Sequence, residues 1–589
     1  GERGEGALNQ VIEFLKTVFI SYWNGGVLME LFLRLNPKPK KLFYEGANIH
    51  FESSKLSIFK NFEEESFVKI FPSEHFVFVK DPVNADLKIE SFISPSEKDL
   101  NEFIKSNDIE LSINIMDVES YLMKVEKENR TVKIFSKSKK GIFYELQTLR
   151  QLIDLENKLL PVVEIFDSPS FKMRGVIEGF YGEPWSHQNR IDLINFCGRN
   201  KMNSYWYAPK DDPYHREKWR EDYPEEEMEK IDELIKVSKD NFVDFVFCVS
   251  PGLSMKFSDQ KEFDLLCKKY YEILSKGVKK FAILFDDIPE KLNYEEDEKK
   301  FEGNYGLAQT YIANKLYEFL KGKDSEVNLY LCPTEYWQEE DSMYRRTMKE
   351  HLNPEIPVIW TGNGVWSKRV SRKNADKISN QFGHDLILWD NYPVNDADQG
   401  ELFLAPLMNR ENDLCISRVK GVISNPMNQP YASMLAEQTI ADYLWNSEGY
   451  DPWRSWNKSI FNLVGSDFFE DMKLFSENFL KSRIFEETSF KLKSLIKEFR
   501  KDPLNKGKEL KEYLERLGNL EGKLKYLKDK KLYEDIHPWL KKLSQLAEIA
   551  SKLLSSNEKV EIKIEVDKLD SYVVCDGILE RFIEDFEGK

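Results

Sequence analysis

The sequence has few of the residues that form disulfides or bind metals. Its 589 residues include six cysteines and seven histidines. The cysteines are scattered with no Cys-x-x-Cys pair, and the histidines show no His-Glu-x-x-His or His-x-His spacing. In so long a chain this distribution predicts buried free thiols rather than a disulfide framework or a zinc site. We therefore expect neither a metal nor a cofactor.

Positive charge is also in short supply. Lysine and arginine number 85 against 102 aspartates and glutamates, which gives a net charge of −17. A protein that mainly binds the phosphate backbone of a nucleic acid carries more positive than negative charge. The composition therefore argues against a nucleic acid as the partner.

A long uninterrupted apolar run is missing as well. The most apolar stretch lies in the first 35 residues, where Glu13, Lys16, Asn24, Glu30 and Arg34 interrupt it. A membrane span needs about 20 predominantly apolar residues, and no signal-peptide pattern is evident. We interpret residues 1–36 as an amphipathic helical segment of unknown role and predict no membrane span. Localisation stays open: the cytoplasm is slightly favoured, and secretion is the alternative if the N-terminus is processed.

The length predicts two to four domains. After a linker at Asn36-Pro37-Lys38-Pro39, residues 37–170 show short strands and helices, as expected for an α+β domain. The stretch YLMKVEKENRTVKIFS predicts a hairpin, and GIFYELQTLRQLIDL predicts an amphipathic helix. No chemistry is evident in this domain.

The pattern changes to alternating strands and helices over residues 171–455. Apolar runs alternate with helical segments, and their number and the length of the region indicate a (β/α)8 TIM barrel. The predicted strands are RGVIEGF, NSYWYAP, VDFVFCVS, KKFAILF, VNLYLC, IPVIW, DLILWD and KGVIS.

Residues 456–589 are charged and mainly helical in pattern, which predicts antiparallel helices or a short coiled coil. The segment EKVEIKIEVDKLDSYVVC alternates like a strand in places and is not assigned. The fold class expected is thus multidomain α/β, with a central barrel between an N-terminal α+β domain and a C-terminal helical domain.

Polar, aromatic and glycine residues follow the predicted barrel strands. Active sites of such barrels lie at the carboxyl ends of the strands, so these residues should meet at one rim. A sugar pocket needs aromatic side chains that stack on the apolar face of a pyranose. It also needs amide and charged side chains that hydrogen-bond the hydroxyls of the sugar. Taken singly, each residue is more typical of a core or a solvated loop.

Asp286 and Asp287 end the fourth run, FAILFDD. Such a pair also begins loops and caps helices. Glycosidase carboxylates usually flank the bond from different strands, about 5–10 Å apart, which adjacent residues cannot easily do. They fit better if a 2-acetamido group of the substrate is the nucleophile, one aspartate holding its N–H and the other protonating the leaving oxygen. Repulsion within the pair should also raise the pKa of one carboxyl.

Six motifs in order closely resemble the O-GlcNAcases of glycoside hydrolase family 84. They are GVIEGFYGEPW (175–185), YAPKDDPYHREKWRE (207–221), FDDI (285–288), CPTEY (332–336), WDNYPVND (389–396) and SNP (424–426). The resemblance covers roughly residues 40–450. It implies a retaining exo-β-N-acetylglucosaminidase that acts on a GlcNAc-bearing glycoconjugate or glycoprotein through an oxazoline, without a metal.

The resemblance also implies roles for ten residues. Asp286 would orient the acetamide, and Asp287 would be the general acid and then the base. Tyr336 would support the acetamido oxygen or the intermediate. Cys332 and Trp389 would line the pocket for the acetamido methyl group. The hydroxyls and ring would be bound by Gly179, Lys210, Asn391, Asp396 and Asn425.

Three alternatives stay open at this point. A hexosaminidase acting on hyaluronan- or chitin-like chains would share the same motifs. A carbohydrate-binding barrel without activity is a second alternative, against which the intact aspartate pair argues. A metal-dependent hydrolase using that pair is the third. The natural aglycone and the oligomeric state are not given by the sequence.

Overall fold

The computed structural model describes residues 35–111, 117–555 and 569–587. The predicted N-terminal helical segment lies almost wholly outside these residues, as does most of the strand-like stretch near residue 560. Two compact units divide the chain between Ser168 and Pro169. Among the described residues no helix is long and apolar enough to cross a membrane.

The first unit contains a mixed seven-stranded sheet in the order β1-β7-β5-β6-β4-β2-β3. The predicted hairpin is confirmed, because β5 and β6 pair antiparallel. The predicted helix is confirmed as α3, and Ser138 caps its N-terminus. The strands are β1 Lys41–His50, β2 Leu56–Lys60, β3 Phe76–Val79, β4 Leu87–Ile93, β5 Tyr121–Glu126, β6 Thr131–Ser136 and β7 Leu159–Asp167, and the helices are α1 Glu65–Val68, α2 Glu97–Ser106 and α3 Lys139–Leu152.

All eight predicted barrel strands are present and form a closed parallel barrel in the order β10-β11-β12-β13-β14-β15-β8-β9. Their continuous apolar character follows from burial on both faces, toward the barrel interior and toward the surrounding helices. The strands are β8 Met173–Glu178, β9 Ser204–Tyr207, β10 Asp244–Val249, β11 Lys280–Leu284, β12 Asn328–Cys332, β13 Val358–Trp360, β14 Leu386–Asp390 and β15 Val419–Ser424.

Helices cover the outside of the barrel, several of them capped by the side chain before their first turn. Ser186 caps α4, Asn304 caps α8 and Ser371 caps α10, each accepting a backbone N–H that the helix leaves free. The barrel helices are α4 His187–Arg199, α5 Glu225–Asp240, α6 Gln260–Ser275, α7 Glu295–Lys300, α8 Tyr305–Lys323, α9 Met343–His351, α10 Arg372–Phe382 and α11 Pro430–Trp445.

The sequence predicted no helix at α9, because its nine residues MYRRTMKEH carry a short apolar stripe. One connection differs from a regular barrel. Between β14 and β15 the described chain forms only a 3-10 turn, Leu414–Ile416, instead of an α-helix. Much of the long β14–β15 connection is thereby free to build the rim of the barrel.

The region after the barrel is helical, as predicted, and belongs to the second unit. Its apolar residues, Leu514, Leu517, Leu540 and Leu543 among them, are fully buried between helices that pack against each other. The predicted domain boundary at residue 455 stays a prediction. The helices are α12 Pro452–Val464, α13 Phe469–Ser476, α14 Phe490–Lys501, α15 Pro503–Gly518, α16 Leu520–Leu524, α17 Lys530–Ser555 and α18 Ile578–Glu587.

Candidate active site

A cavity of about 350 Å³ opens at the carboxyl ends of the barrel strands. All ten residues singled out in the sequence line it, because parallel strands deliver the residues that follow them to one edge. These are Gly179, Lys210, Asp286, Asp287, Cys332, Tyr336, Trp389, Asn391, Asp396 and Asn425. Six further residues line the cavity: Tyr181, Thr361, Val365, Trp366, Val394 and Ala397.

Asp286 lies at the floor of the cavity and is 5% exposed. Its Oδ2 accepts a hydrogen bond from the buried ammonium of Lys210, which follows β9. Its Oδ1 is buried and has no hydrogen-bond partner in the described part of the chain. A buried carboxylate oxygen without a donor is costly, so this atom is a site for a donor from outside the protein.

The charge pair keeps Asp286 ionised. Burial by itself favours the neutral acid, but the charge and hydrogen bond of Lys210 outweigh it and hold the pKa of Asp286 below its ordinary range. The expected upward shift from repulsion within the aspartate pair is therefore not found at Asp286. The reason is Lys210, which follows β9, two strands away from β11 around the barrel, and which the sequence alone does not pair with Asp286.

Asp287 lies at the mouth of the cavity and is exposed. Its Oδ1 accepts from the Tyr336 hydroxyl at 2.7 Å, and its Oδ2 accepts from the Tyr181 hydroxyl at 2.7 Å. Its backbone is left-handed, with φ at 51°, a conformation that few non-glycine residues adopt outside functional sites and turns. This turn sends two consecutive carboxylates to different depths of one cavity.

The hydroxyls of Tyr336 and Tyr181 stay protonated and donate hydrogen bonds to Asp287. Burial, with the nearby Asp287 charge, raises the pKa of Tyr336 far above its ordinary value. Burial and the same charge raise the pKa of Tyr181 to about 12, against an opposing effect of Lys210. Both hydroxyls therefore keep their protons at neutral pH.

Trp389, Asn391 and Asn425 form a hydrogen-bonded wall. Asn391 Oδ1 accepts from Trp389 Nε1 at 2.9 Å and from Asn425 Nδ2 at 3.0 Å, and Asn391 Nδ2 donates to the Val365 carbonyl at 2.8 Å. The wall reaches β8 because Gly179 N donates to Asn425 Oδ1 at 3.3 Å. These bonds fix the amide orientations and leave the face of Trp389 toward the cavity.

Gly179 is required by the approach of Trp389. A Cβ at residue 179 would lie 2.5 Å from Trp389 Cζ2, far inside van der Waals contact. Cys332, 1% exposed, belongs with Trp389 to the apolar cluster that fills the barrel. Burial raises the pKa of the Cys332 thiol well above its ordinary value, so the thiol is a neutral, apolar part of the wall.

Asp396 completes the rim and holds the loop after β8. Its Oδ2 accepts from the backbone N–H of Tyr181 at 2.9 Å. Burial raises the pKa of Asp396 from its ordinary value, although this backbone hydrogen bond opposes the rise. Asp396 thus places a carboxyl group at the rim of the cavity.

Two buried ion pairs anchor the strand ends that carry the wall. Glu178, just before Gly179, is held by Arg190 through two hydrogen bonds of 2.8 Å. Asp390, just before Asn391, is held by Arg410 through bonds of 2.8 and 2.6 Å. Bidentate pairs of this kind fix geometry as well as charge.

Thr361 directly follows β13, as the sequence indicated, but Val365 and Trp366 were not identified. They lie five and six residues beyond the strand end in the run TGNGVW, where loop geometry rather than strand periodicity sets position. Tyr181 was recognisable as part of EGFYG after β8, but its bond to Asp287 was not. Within the described residues, no three His, Cys, Asp or Glu side chains are grouped to hold a metal ion.

A closed parallel barrel with a carboxylate pair in a pocket of polar and aromatic residues has the architecture of a glycoside hydrolase. The sequence model of the β-N-acetylglucosaminidase family matches residues 174–477, just over half of the chain. The chain therefore belongs to the β-N-acetylglucosaminidase family, and the resemblance to family 84 glycoside hydrolases is confirmed.

Two curated relatives are the protein O-GlcNAcases of Rattus norvegicus and Mus musculus, each 38% identical over 275 residues. The match covers 46% of this chain and 29% of each relative, so the chain spans less than a third of their length.

Solved structures give the same relationship. CpGH84B is 29% identical with a TM-score of 0.78, and the match covers 94% of this chain and all of that one. A Thermobaculum terrenum O-GlcNAc hydrolase mutant is 31% identical with a TM-score of 0.67, over 71% of this chain and 94% of that one.

Proposed function

We propose that the protein is a retaining exo-β-N-acetylglucosaminidase that removes β-linked GlcNAc by substrate-assisted catalysis. The observation that carries this proposal is the buried, ionised Asp286 with an unpartnered Oδ1, next to an exposed carboxyl at Asp287. An acetamido N–H is a donor of the right kind for that oxygen, and it belongs to the group that would act as nucleophile.

In the first step the acetamido carbonyl oxygen attacks C1 of the sugar, and the bond from C1 to the leaving oxygen breaks. Asp286 accepts the acetamido N–H and stabilises the positive charge that develops on the ring being formed. Asp287 gives its proton to the leaving oxygen. The products are the free aglycone and a bicyclic oxazoline in its protonated form, the oxazolinium ion, whose N–H stays hydrogen-bonded to the Asp286 carboxylate.

In the second step a water attacks C1 from the face that the leaving group vacated. Asp287, now ionised, takes the proton of that water, and the oxazoline opens to regenerate the acetamido group. Two inversions at C1 give net retention. Tyr336 and Tyr181, which donate to Asp287, stabilise the carboxylate between the two steps.

The remaining residues of the cavity would bind the sugar. Trp389 and Cys332 would present an apolar surface to the acetamido methyl group. Asn391, Asp396 and Asn425 offer amide and carboxylate groups to the hydroxyls. A GlcNAc-bearing glycoprotein or glycoconjugate is the proposed substrate, and O-GlcNAc is the modification named for the relatives.

The acetamido group should be essential for turnover. We expect hydrolysis of an aryl β-GlcNAc and almost none of the matching aryl β-glucoside, which has no internal nucleophile. Initial rates of phenol release from both, at equal concentration, test this. Comparable rates would overturn substrate assistance and require a nucleophile from the protein.

Replacing Lys210 by methionine should move the acid limb of the pH profile of kcat/KM to higher pH. Activity needs ionised Asp286, so it is present above the pKa of that carboxyl and is lost as pH falls through it. With Lys210 removed, the main opposition to burial is lost and the pKa of Asp286 rises. The profile of kcat/KM reports the free enzyme.

Lys269→Met is the matched control. Lys269 is also buried, at 3% exposure, but its ammonium donates to the carbonyls of Tyr214 and Glu221 instead of to Asp286. Its loss should leave the acid limb in place. An unshifted limb in Lys210→Met would show that Lys210 does not set the charge of Asp286.

A further inference from the structure

The cavity has a buried floor and an exposed mouth. Asp286, Cys332 and Trp389 at the floor are each at most 5% exposed, whereas Tyr181 is 37% exposed. Asp287 and Ala397 are exposed as well, and Trp366 is half-buried. An exo-acting pocket takes the terminal sugar at its floor, so whatever is attached to that sugar lies at the mouth.

Trp366 is the large aromatic side chain that the loop after β13 contributes to this mouth. It does not depend on the barrel alone for its position. The guanidinium of Arg483, from the region after the barrel, lies over its ring, with Cζ 4.8 Å from the centroid. Arg483 also pairs with Asp398, with Nε 2.8 Å from Oδ2. Asp398 is two residues beyond Asp396 of the cavity rim.

The segment that carries Arg483 is fixed on the barrel loops. Leu404 N donates to the Phe479 carbonyl at 2.9 Å, and Asn409 Nδ2 donates to the Ile484 carbonyl at 3.0 Å. Both partners on the barrel side belong to the β14–β15 connection. Arg483 thus joins the loop after β13 to the loop after β14 from outside the cavity.

We propose that Trp366 is a leaving-group platform, a stacking surface for an aglycone with a flat or ring-shaped apolar face, and that Arg483 is its positioning residue. The proposal rests on the proposed function, because that function defines the mouth as the aglycone side. Stacked Arg483 restricts the indole to one orientation, which lowers the entropy lost when a second ring packs on it. The post-barrel region thereby influences leaving-group preference.

Measurements of ligand binding test the leaving-group platform independently of catalysis. The ligands are two β-C-glycosides of GlcNAc that cannot be hydrolysed, a benzyl and an ethyl compound, and Kd is measured by calorimetry. Trp366→Ala should weaken the benzyl compound about three- to tenfold, the loss of one aromatic contact, and leave the ethyl compound unchanged. Trp366→Phe should restore most of the loss.

Arg483→Ala should give a smaller loss of the same kind, about two- to threefold, because Trp366 remains but is no longer held. Arg483→Lys should recover part of it, since a lysine keeps the charge but not the planar stack. Arg418→Ala is the matched control: Arg418 has the same 45% exposure and pairs with Asp385 at 2.9 Å, but at the other end of the strands.

The outcomes distinguish the two proposals. If Trp366→Ala weakens both compounds equally, or neither, the platform is wrong, whether or not the wild-type enzyme hydrolyses aryl β-GlcNAc. If the wild type binds both compounds as expected but hydrolyses no β-GlcNAc, the proposed function is wrong and the platform stands as a binding subsite. A loss in Arg418→Ala equal to that in Arg483→Ala would remove Arg483 from the positioning role.

Discussion

Asp286→Asn should lower kcat/KM on the order of 10²–10³-fold, the loss seen when one preorganised stabilising group is removed from a transition state. The asparagine keeps the shape and an acceptor oxygen but removes the charge that stabilises the oxazolinium. Because Asp286 acts on ring closure, good and poor leaving groups should be slowed by similar factors. The measurement is kcat/KM across a series of substituted phenyl β-GlcNAc substrates.

The change also leaves the ammonium of Lys210 buried without its partner, and an uncompensated buried charge destabilises a fold. The double variant Asp286→Asn/Lys210→Met separates the two effects. It should recover much of the thermal stability lost in the single variant and none of the activity. Recovery of activity together with stability would show that Asp286 has a structural role and not the proposed chemical one.

The barrel and the location of the site could be predicted because both follow from local patterns. Eight continuous apolar runs specify strands buried on both faces. Because the parallel strands of a barrel end at the same rim, the residues that follow them come together there. Gly179, Asp286 and Cys332 illustrate this, since each lies at the end of its strand or within two residues beyond it. Their positions needed no knowledge of the loops.

What could not be predicted depends on contacts between strands far apart in the chain. Lys210 and Asp286 are 76 residues apart, and only the closed barrel makes them a pair. Without that pair, the like-charge argument could not say that the pKa of Asp286 is lowered. The same applies to Arg483 and Trp366, since no periodicity indicates that a helical region should support a barrel loop.

Helix α9 was missed for a different reason. Its four buried residues include Arg345 and Thr347 beside Tyr344 and Met348, so burial there does not follow apolar character. Arg345 is buried because its guanidinium donates to the carbonyls of Trp337 and Glu340. A helix held by such polar contacts gives a weak hydrophobic periodicity.

Asp287→Asn should make the rate depend steeply on the leaving group. If Asp287 is the general acid, its loss matters little for a very acidic phenol, which leaves without a proton, and matters most for an alkyl or serine oxygen. General acid catalysis is typically worth about 10²–10⁴-fold, so this is the expected loss at the basic end of the series. Asparagine is preferred to alanine because it tolerates the left-handed backbone at φ 51°.

Tyr336 and Tyr181 donate to the two carboxylate oxygens in the wild type. The amide keeps the size of the side chain and one acceptor oxygen, and its NH2 group meets the other tyrosine hydroxyl as a donor. The variant therefore changes proton transfer with little change in packing. Added azide should speed its turnover of acidic phenyl substrates, because an anionic nucleophile opens the oxazoline without a general base. The expected product is the β-azide, which keeps the configuration of the substrate.

The comparison between the two aspartates is made on the slope of log kcat/KM against leaving-group pKa, since kcat/KM reports the first irreversible step. Asp287→Asn should give a steep negative slope, and Asp286→Asn a slope close to that of the wild type. The depths of the two carboxyls support this assignment: Asp287 is exposed at the mouth, where the proposed function places the leaving group, and Asp286 is buried at the floor. A steep slope for Asp286→Asn with a shallow slope for Asp287→Asn would reverse the roles.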